Sequence, residues 1–280
     1  MKRKALLLFS VIVCTGLYAQ PSVPSYAVFA GDTVRFNTPE RYERMDRELL
    51  SFTYMHTTST LMLKRSERYF AQVVPILKAN GLPEDLKYLM VIESNLDPKA
   101  LSSAGAAGLW QFTKATAREY GLEVGSEVDE RYHIVKETEA ACRFLKDAYA
   151  KFGDWMTVAA SYNAGQGGIA SKRAAQKQDC ALDLWLVEET ARYMYRLLAA
   201  KMLFEDPVSF GFHVTQSYPY IPSRRTVTVD SAIPSLVDFA LENGVSYADL
   251  KRENLWLRDS RLTNKDGKIY KIAIPDVVSY

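Results

Sequence analysis

Residues 41–206 constrain the fold most, because apolar residues there recur at helical spacing and no stretch alternates as a β-strand does. Glycines follow several of these apolar runs and predict where helices end. The segment therefore predicts an all-α domain. The predicted helices are two between Arg41 and Asn80, broken near Thr57–Thr60, and others that end near Asn95, Tyr120, Phe152 and Tyr162. A turn at Ser161–Gly168 is predicted to close the last of these, and a final helix is predicted from about Asp183 to Glu205.

An acidic residue interrupts one apolar helical stripe. Leu86, Leu89 and Met90 occupy positions i, i+3 and i+4 of a helix, and position i+7 is Glu93. Loss of water around a carboxylate raises its pKa, which keeps the acid protonated near neutral pH and ready to donate a proton. A glutamate at a helix end that turns to water or pairs with a lysine is the alternative, and this local pattern leaves both open.

The N-terminus has the pattern of an export signal. Three basic residues, Lys2 to Lys4, precede an apolar run from Ala5 to Cys14, and small residues lead to Ala19. Residues 1–19 are predicted to be a signal peptide cleaved after Ala19, which places the protein in the periplasm or cell envelope. Lipid attachment at Cys14 is the less favoured alternative and would add a membrane anchor; peripheral association with the outer membrane also stays open.

Charge and histidine spacing exclude some functions. The formal charge falls from +2 to −1 without residues 1–19, which carry three basic and no acidic side chains. A chain without basic excess is not expected to bind nucleic acid. None of the three histidines has a partner at metal-ligand spacing, so neither a metal site nor a cofactor is predicted. Cys142 and Cys180 are predicted as buried free thiols, although export would permit a disulfide.

The flanking segments differ in character from the helical domain. Residues 20–40 hold three prolines and no sustained period, and they are predicted to be a linker, as are residues 207–225. Residues 226–280 predict a β-α-α-β module: a strand at Thr226–Val229, helices at Ser235–Gly244 and Ser246–Asn254, and a strand at Tyr270–Pro275. A unit of this size suits binding better than catalysis.

The remaining polar and aromatic residues favour carbohydrate chemistry. No Gly-x-Ser-x-Gly elbow is present, and neither Cys142 nor Cys180 has the setting of a nucleophile. Amides and aromatic faces together are typical of sugar sites, and a protonated carboxyl group among them suggests cleavage of a glycosidic bond. The residues of this set, besides Glu93, are Trp110, Gln111, Tyr162, Asn163 and Tyr193.

Four ordered motifs resemble those of the lytic transglycosylases of glycoside hydrolase family 23, which are similar to goose-type lysozyme. They are Glu93-Ser94, GAAGLWQ at 105–111, SYNAG at 161–165 and ETARY at 189–193. The resemblance covers about residues 41–206. Ser161 in place of the usual alanine, Met194 in place of a valine, and Tyr132-His133 depart from the family pattern. Residues 226–280 resemble a degenerate LysM repeat, which binds glycan or only packs on the other domain.

The resemblance implies a goose-type, lysozyme-like fold that cuts the MurNAc-β-1,4-GlcNAc bond of peptidoglycan strands without water and leaves 1,6-anhydro ends. Glu93 would be the single general acid and base, since no second carboxylate stands at an obvious motif position and Asp97 is expected to be a turn residue. The implied substrate-binding residues are Ser94, Gln111, Tyr162, Asn163 and Tyr193. The alternative for Trp110 and Tyr162 is that they are aromatic residues of the core with no contact to substrate. A hydrolytic goose-type lysozyme and a non-catalytic peptidoglycan-binding protein are the rival functions; oligomeric state stays open.

Overall fold

The computed structural model describes residues 20–223 and 225–276; the predicted signal peptide and Cys14 lie outside them. The described chain is mainly helical, with two short antiparallel strand pairs, which confirms the predicted fold class. In chain order the elements are β1 (Tyr26–Phe29), β2 (Asp32–Arg35), α1 (Pro39–Tyr54), α2 (His56–Ala79), α3 (Lys87–Ser94), α4 (Lys114–Glu119), α5 (Ile134–Phe152), α6 (Trp155–Ala164), α7 (Gln166–Gln176), α8 (Glu188–Glu205), β3 (Arg225–Val229), α9 (Leu236–Glu242), α10 (Tyr247–Glu253) and β4 (Tyr270–Ile274).

Residues 26–35, within the predicted linker at 20–40, form a hairpin. Strands β1 and β2 pair through a two-residue turn, Ala30-Gly31, in which both residues have positive φ. This geometry usually calls for asparagine followed by glycine, and alanine at the first position hides the signal. Phe29, Val34 and Phe36 are buried in the core of the helical domain, so the hairpin is part of that domain.

Helix α3, which carries Glu93, packs between α2 and α8, while α5 and α6 pack beside each other and form the rest of the domain's centre. Leu86, Leu89 and Met90 are fully buried, as the helical spacing predicts. The hydrophobic contacts of this stripe fix the rotation of α3 about its axis, because any rotation would expose one of the three side chains. That fixed rotation determines where the side chain of Glu93 points.

Three helix boundaries differ from the sequence prediction. The break between α1 and α2 lies at Met55, before the threonine-rich stretch. Only this one residue leaves helical geometry there. The predicted turn at 161–168 is instead the end of α6, a bend at Gly165 and the start of α7, a helix that the sequence prediction missed. Helix α8 begins at Glu188, because a short 3₁₀ turn occupies Ala181–Asp183.

The C-terminal module contains the predicted strand, two helices and strand. Strands β3 and β4 pair antiparallel with Arg225 opposite Ile274, and the side chain of Asn254 links the end of α10 to β4 by bonding Ala273 N and O at 2.9 and 2.7 Å. The module's core also includes Val128 and Tyr132 of the helical domain. The two parts of the chain therefore share a hydrophobic contact, and the module packs on the loop before α5.

Cys142 and Cys180 are unpaired, which confirms the prediction of free thiols, although only Cys142 is buried. Across 20–223 and 225–276, no helix is both long and apolar enough to cross a membrane. Nor does any group of three or more His, Cys, Asp or Glu side chains in those two ranges lie together as a metal site would require.

Candidate active site

Glu93 lies in the last turn of α3, where the chain leaves the helix abruptly. Asn95 and Leu96 both adopt left-handed backbone geometry, with φ of 52° and 55°. Asparagine tolerates this conformation, whereas leucine rarely adopts it. Leu96 is fully buried, and Arg65 on α2 donates to Asn95 O at 3.2 Å. Packing and this hydrogen bond thus hold a strained turn immediately after Glu93.

Tyr193 on α8 donates its hydroxyl to Glu93 Oε1 at 2.6 Å. The pKa of Glu93 is raised to about 7, mainly by burial. The negative charge of Glu189 raises it further, whereas the hydrogen bond from Tyr193 and the positive charge of Arg196 lower it. Glu93 is therefore a carboxylic acid that exchanges its proton near neutral pH, which suits a group that must first donate and then accept a proton.

Replacing Tyr193 by Phe should raise the pKa of Glu93 further. The hydroxyl stabilises the charged carboxylate through a hydrogen bond, so its loss favours the protonated acid. An NMR titration of ¹³C-labelled glutamate in the full chain measures the change directly, and we expect a midpoint higher by about one pH unit. A midpoint that stays in place or moves downward would show that the 2.6 Å contact does not stabilise the carboxylate.

Gln111 closes the small-residue loop that follows α3. Its side-chain Nε2 donates to Ala100 O at 3.2 Å and to Gly108 O at 2.8 Å, and its backbone has a positive φ of 50°. Both N–H bonds of the amide are therefore used inside the loop, and only its carbonyl oxygen remains for a ligand. Gln111 can accept a hydrogen bond from a sugar hydroxyl, but it has no free N–H for a glycosidic oxygen.

Arg131 binds the backbone of the same loop. Its guanidinium makes a bidentate contact with Asp129, at 2.9 and 2.7 Å, and donates to the carbonyls of Gly105 and Phe112 at 2.7 and 3.1 Å. Both charged side chains are almost completely buried. Since a buried ion pair is costly to break by loss of one partner, this contact fixes the loop in place.

Asn163, at the end of α6, is oriented by Thr190 on α8. The hydroxyl of Thr190 donates to Asn163 Oδ1 at 2.8 Å. In this arrangement the amide oxygen of Asn163 faces Thr190, and its NH₂ group is left as a donor. An N-acetyl carbonyl is an acceptor of matching kind. The sequence motifs contain Thr190, but only the structure gives it this orienting role.

Three residues from the predicted set are bonded into the protein. Tyr162 donates to Trp110 O at 2.7 Å, and its ring packs on Phe144 with centroids 5.1 Å apart. Trp110 is fully buried and donates its indole N–H to Thr138 Oγ1 at 3.0 Å. Ser94 is buried and donates to Met90 O at 2.8 Å. These contacts agree with the alternative in which Trp110 and Tyr162 are core aromatics, and the Ser94 hydroxyl uses its one donor on Met90 O.

Sequence reasoning missed two carboxylates. Glu189 lies within the ETARY motif and is close enough to Glu93 for its charge to raise the pKa of that residue, so Glu93 has an acidic neighbour that we did not expect. Glu137 on α5 is fully buried and accepts from Trp110 N at 3.2 Å, and burial raises its pKa well above the usual range. The pattern that pointed to Glu93, a carboxylate on the apolar side of a helix, could also have identified Glu137. Asp97 accepts from Lys99 N at 2.9 Å, as the predicted turn residue would.

Two family profiles match this chain. Residues 75–182 match the family described as "Transglycosylase SLT domain", and residues 225–277 match "Soluble lytic transglycosylase C-terminal LysM-like domain". The first match includes Glu93, Gln111, Tyr162 and Asn163, whereas Tyr193 lies beyond its end. The second covers the β-α-α-β module.

Curated relatives include the membrane-bound lytic murein transglycosylase D of Escherichia coli K12, which is 29% identical over 243 residues, 84% of this chain and 52% of the relative. The peptidoglycan transglycosylase gp16 of Escherichia phage T7 is 37% identical over 125 residues, 43% of this chain and 9% of the relative. The solved structure of an inactive mutant of lytic transglycosylase Slt from Pseudomonas aeruginosa aligns at 22% identity with a TM-score of 0.42, over 50% of this chain and 24% of that one.

The chain spans about half the length of the transglycosylase D relative. Within that span the order of the parts agrees with the two profile matches, since a helical domain with a buried acid precedes a β-α-α-β module. Residues 75–182 are thus similar to the transglycosylase SLT domain, and residues 225–277 are similar to the C-terminal LysM-like domain of soluble lytic transglycosylases.

Proposed function

We propose that this protein is an exported peptidoglycan lytic transglycosylase of the cell envelope. It cleaves the β-1,4 bond between N-acetylmuramic acid and N-acetylglucosamine without water, and Glu93 serves as the single general acid and base. The observation that carries the proposal is the contact of 2.6 Å between Tyr193 and a buried Glu93 whose pKa is about 7. The substrate is the glycan strand, and no metal or other cofactor takes part in the steps below.

In the first step, protonated Glu93 donates its proton to the glycosidic oxygen as the bond from C1 of the muramic acid to that oxygen breaks. Tyr193 already donates to Oε1, so Oε2 is the oxygen that carries the acidic proton. The electron pair of the broken bond goes to the leaving oxygen, and C1 becomes electron-poor. The hydrogen bond from Tyr193 then stabilises the carboxylate that forms on Glu93.

In the second step, the C6 hydroxyl of the same muramic acid residue attacks C1, and the Glu93 carboxylate accepts the hydroxyl proton. The C1–O6 bond forms the 1,6-anhydro ring, and Glu93 returns to its protonated state. The nucleophile belongs to the substrate, so its attack is intramolecular and needs no second protein base. Asn163, with its free NH₂ group, and Gln111, with its free carbonyl oxygen, would hold the sugars during both steps.

A digest of purified sacculi, separated and weighed by mass spectrometry, tests the reaction. We expect products that are lighter by one water than those of a hydrolytic lysozyme, because ring closure replaces the addition of water. Products with reducing ends would instead identify a goose-type hydrolase. Intact sacculi after prolonged incubation would identify a non-catalytic peptidoglycan-binding protein.

Glu189→Gln separates the two enzymatic functions. In the proposed reaction Glu189 only raises the pKa of Glu93 by its charge, so its neutral amide should lower that pKa and leave kcat/KM below pH 6 within about threefold. In a hydrolytic reaction a second carboxylate must activate water, and loss of that group costs about 10²- to 10⁴-fold. The pH profile of muropeptide release measures both effects, and a loss of the larger size at every pH would contradict a single acid and base.

A further inference from the structure

A cavity of about 470 Å³ lies between the helical domain and the LysM-like domain, outside the set of residues around Glu93. One wall is α2, a second is the segment at Pro98-Lys99, and the third is the end of α10 with the start of β4. Residues 219–221 line a further side and include Tyr220 and Ile221. A volume of this size is in the range of pockets that hold small ligands.

The cavity has an excess of positive charge. Four cationic side chains line it, and Glu253 is the one carboxylate among its lining residues. His133 also lines it, but burial lowers its pKa to about 4, so the imidazole is neutral at physiological pH. The cationic residues are Arg68, Lys99, Arg252 and Lys271.

Three of these cations have no carboxylate partner among the described residues, and one of the three, Arg68, is bonded to a backbone carbonyl. Arg252 pairs with Asp249, and Arg68 donates to Pro219 O at 3.2 Å. Among the residues that the structure describes, no carboxylate lies within 4 Å of the ammonium group of Lys99 or of Lys271. Lys99 and Lys271 are exposed, and the surplus of positive charge around a concave site favours an anionic ligand.

The walls between these charges are aromatic. Trp256 is almost completely buried and stacks on Tyr270, with ring centroids 5.7 Å apart, while Tyr220 is 40% exposed. Of these rings, it is the exposed part of Tyr220 that can pack against the apolar parts of a ligand. The cavity therefore offers a ligand both apolar contact and two free positive charges.

The cavity is continuous in the chain with the loop around Gln111. Lys99 precedes Ala100, whose carbonyl accepts from the Gln111 side chain at 3.2 Å and from Gly108 N at 3.1 Å. A substrate held at this loop thus lies against the same segment that carries Lys99. Peptidoglycan sugars are uncharged once the lactyl group is in amide linkage, whereas the peptide stems that they bear carry free carboxylates.

We propose that this cavity binds the peptide stem of peptidoglycan through its carboxylates, with Lys99 and Lys271 as the anion-binding residues. The inference rests on the proposed function for its substrate, but binding of the peptide does not require turnover. It predicts that the enzyme acts better on glycan strands with stems than on strands without them.

The test is calorimetric titration of the full chain with a synthetic stem tetrapeptide and with the same peptide amidated at its carboxylates. We expect the free acid to bind, the amidated peptide to bind at least tenfold more weakly, and the double variant Lys99→Gln/Lys271→Gln to bind the free acid about tenfold more weakly. Lys265→Gln, an exposed lysine of the same domain that does not line the cavity, is the matched control and should bind as the wild type does.

Equal binding of the two peptides, unchanged binding by the double variant, or no binding to the wild type would each overturn the proposal. A chito-oligosaccharide that binds less well to the double variant would do so too, since it would show that the cavity takes neutral glycan. If sacculi are not cut but the tetrapeptide binds as expected, the proposed function fails and the cavity assignment stands. If sacculi are cut, the double variant should lose about tenfold in kcat/KM on strands with stems and nothing on amidase-treated strands.

Discussion

Glu93→Gln should abolish the release of anhydromuropeptides from sacculi, with a loss in kcat of at least about 10³-fold. The amide has nearly the same shape as the acid and can still accept from Tyr193, but it has no acidic proton and no basic oxygen. Both chemical steps depend on the same side chain, so the loss should reach the upper part of the range for general acid–base catalysis. Muropeptide release followed by mass spectrometry measures the effect, and retention of full activity would show that Glu93 is not the catalytic acid.

A stability measurement on the same variant guards against misfolding as the cause. The pKa of Glu93 is raised to about 7 in the folded protein from 4.5, so the folded state holds its proton more tightly than the unfolded state does. The contribution of Glu93 to stability therefore falls as pH rises from about 4.5 to 7 and is constant beyond that range. The glutamine variant lacks this loss and should be more stable than the wild type above pH 7, by about 1–3 kcal/mol. If the glutamine variant is less stable than the wild type at pH 8, its loss of activity cannot be attributed to the missing acid.

Gly108→Ala should destabilise the protein by about 4 kcal/mol, which lowers Tm by roughly 10 °C in a chain of this size. A Cβ at this position would lie 1.7 Å from Arg131 O and 2.4 Å from Glu137 Oε2, and the backbone has a φ of +83°. Arg131 and Glu137 both hold the loop that contains Gln111, so the methyl group must displace the supports of the site. Thermal unfolding measured by circular dichroism checks the size of the change.

Gly105→Ala is the matched control for that change. Gly105 belongs to the same loop and has a similar φ of +78°, but a Cβ there would meet nothing within 4 Å. Its cost is the backbone strain alone, about 1 kcal/mol. If the two alanine variants lose the same stability, the close approach of Arg131 and Glu137 to Gly108 does not contribute to the fold.

Helical periodicity predicted most of the domain because its helices bury one face each. Leu86, Leu89 and Met90 placed Glu93 correctly at the end of a buried stripe. Ser235 and Ser246, where the two helices of the LysM-like domain were predicted to begin, are the N-caps of α9 and α10. The same reasoning failed for α7. Gly167 and Gly168 lower its intrinsic helix propensity, and its one buried side chain, Ile169, gives no periodic pattern.

The candidate site was predictable in its residue types and less so in their contacts. The motifs brought Glu93 and Tyr193 together, a pair separated by 100 residues in the chain. They could not show that Gln111 and Ser94 use their hydrogen-bond donors inside the protein, since a motif records which residue is present and not where its N–H or O–H points. Only the packing of α8 beside α3 revealed that Glu189 influences Glu93.

The N-terminal hairpin has a consequence for how the chain is made. Ala30 N donates to Asp85, and Asp32 accepts from Trp155 N, 123 residues further along the chain. At the usual speed of translation, on the order of ten seconds pass between synthesis of the hairpin and synthesis of Trp155, and Tyr195, whose ring contacts Phe36, follows later still. During that interval Phe29, Val34 and Phe36 have no complete core to enter. The hairpin is therefore synthesised early but can complete its tertiary contacts only late. Until then the N-terminal region of the nascent chain is not packed into the core.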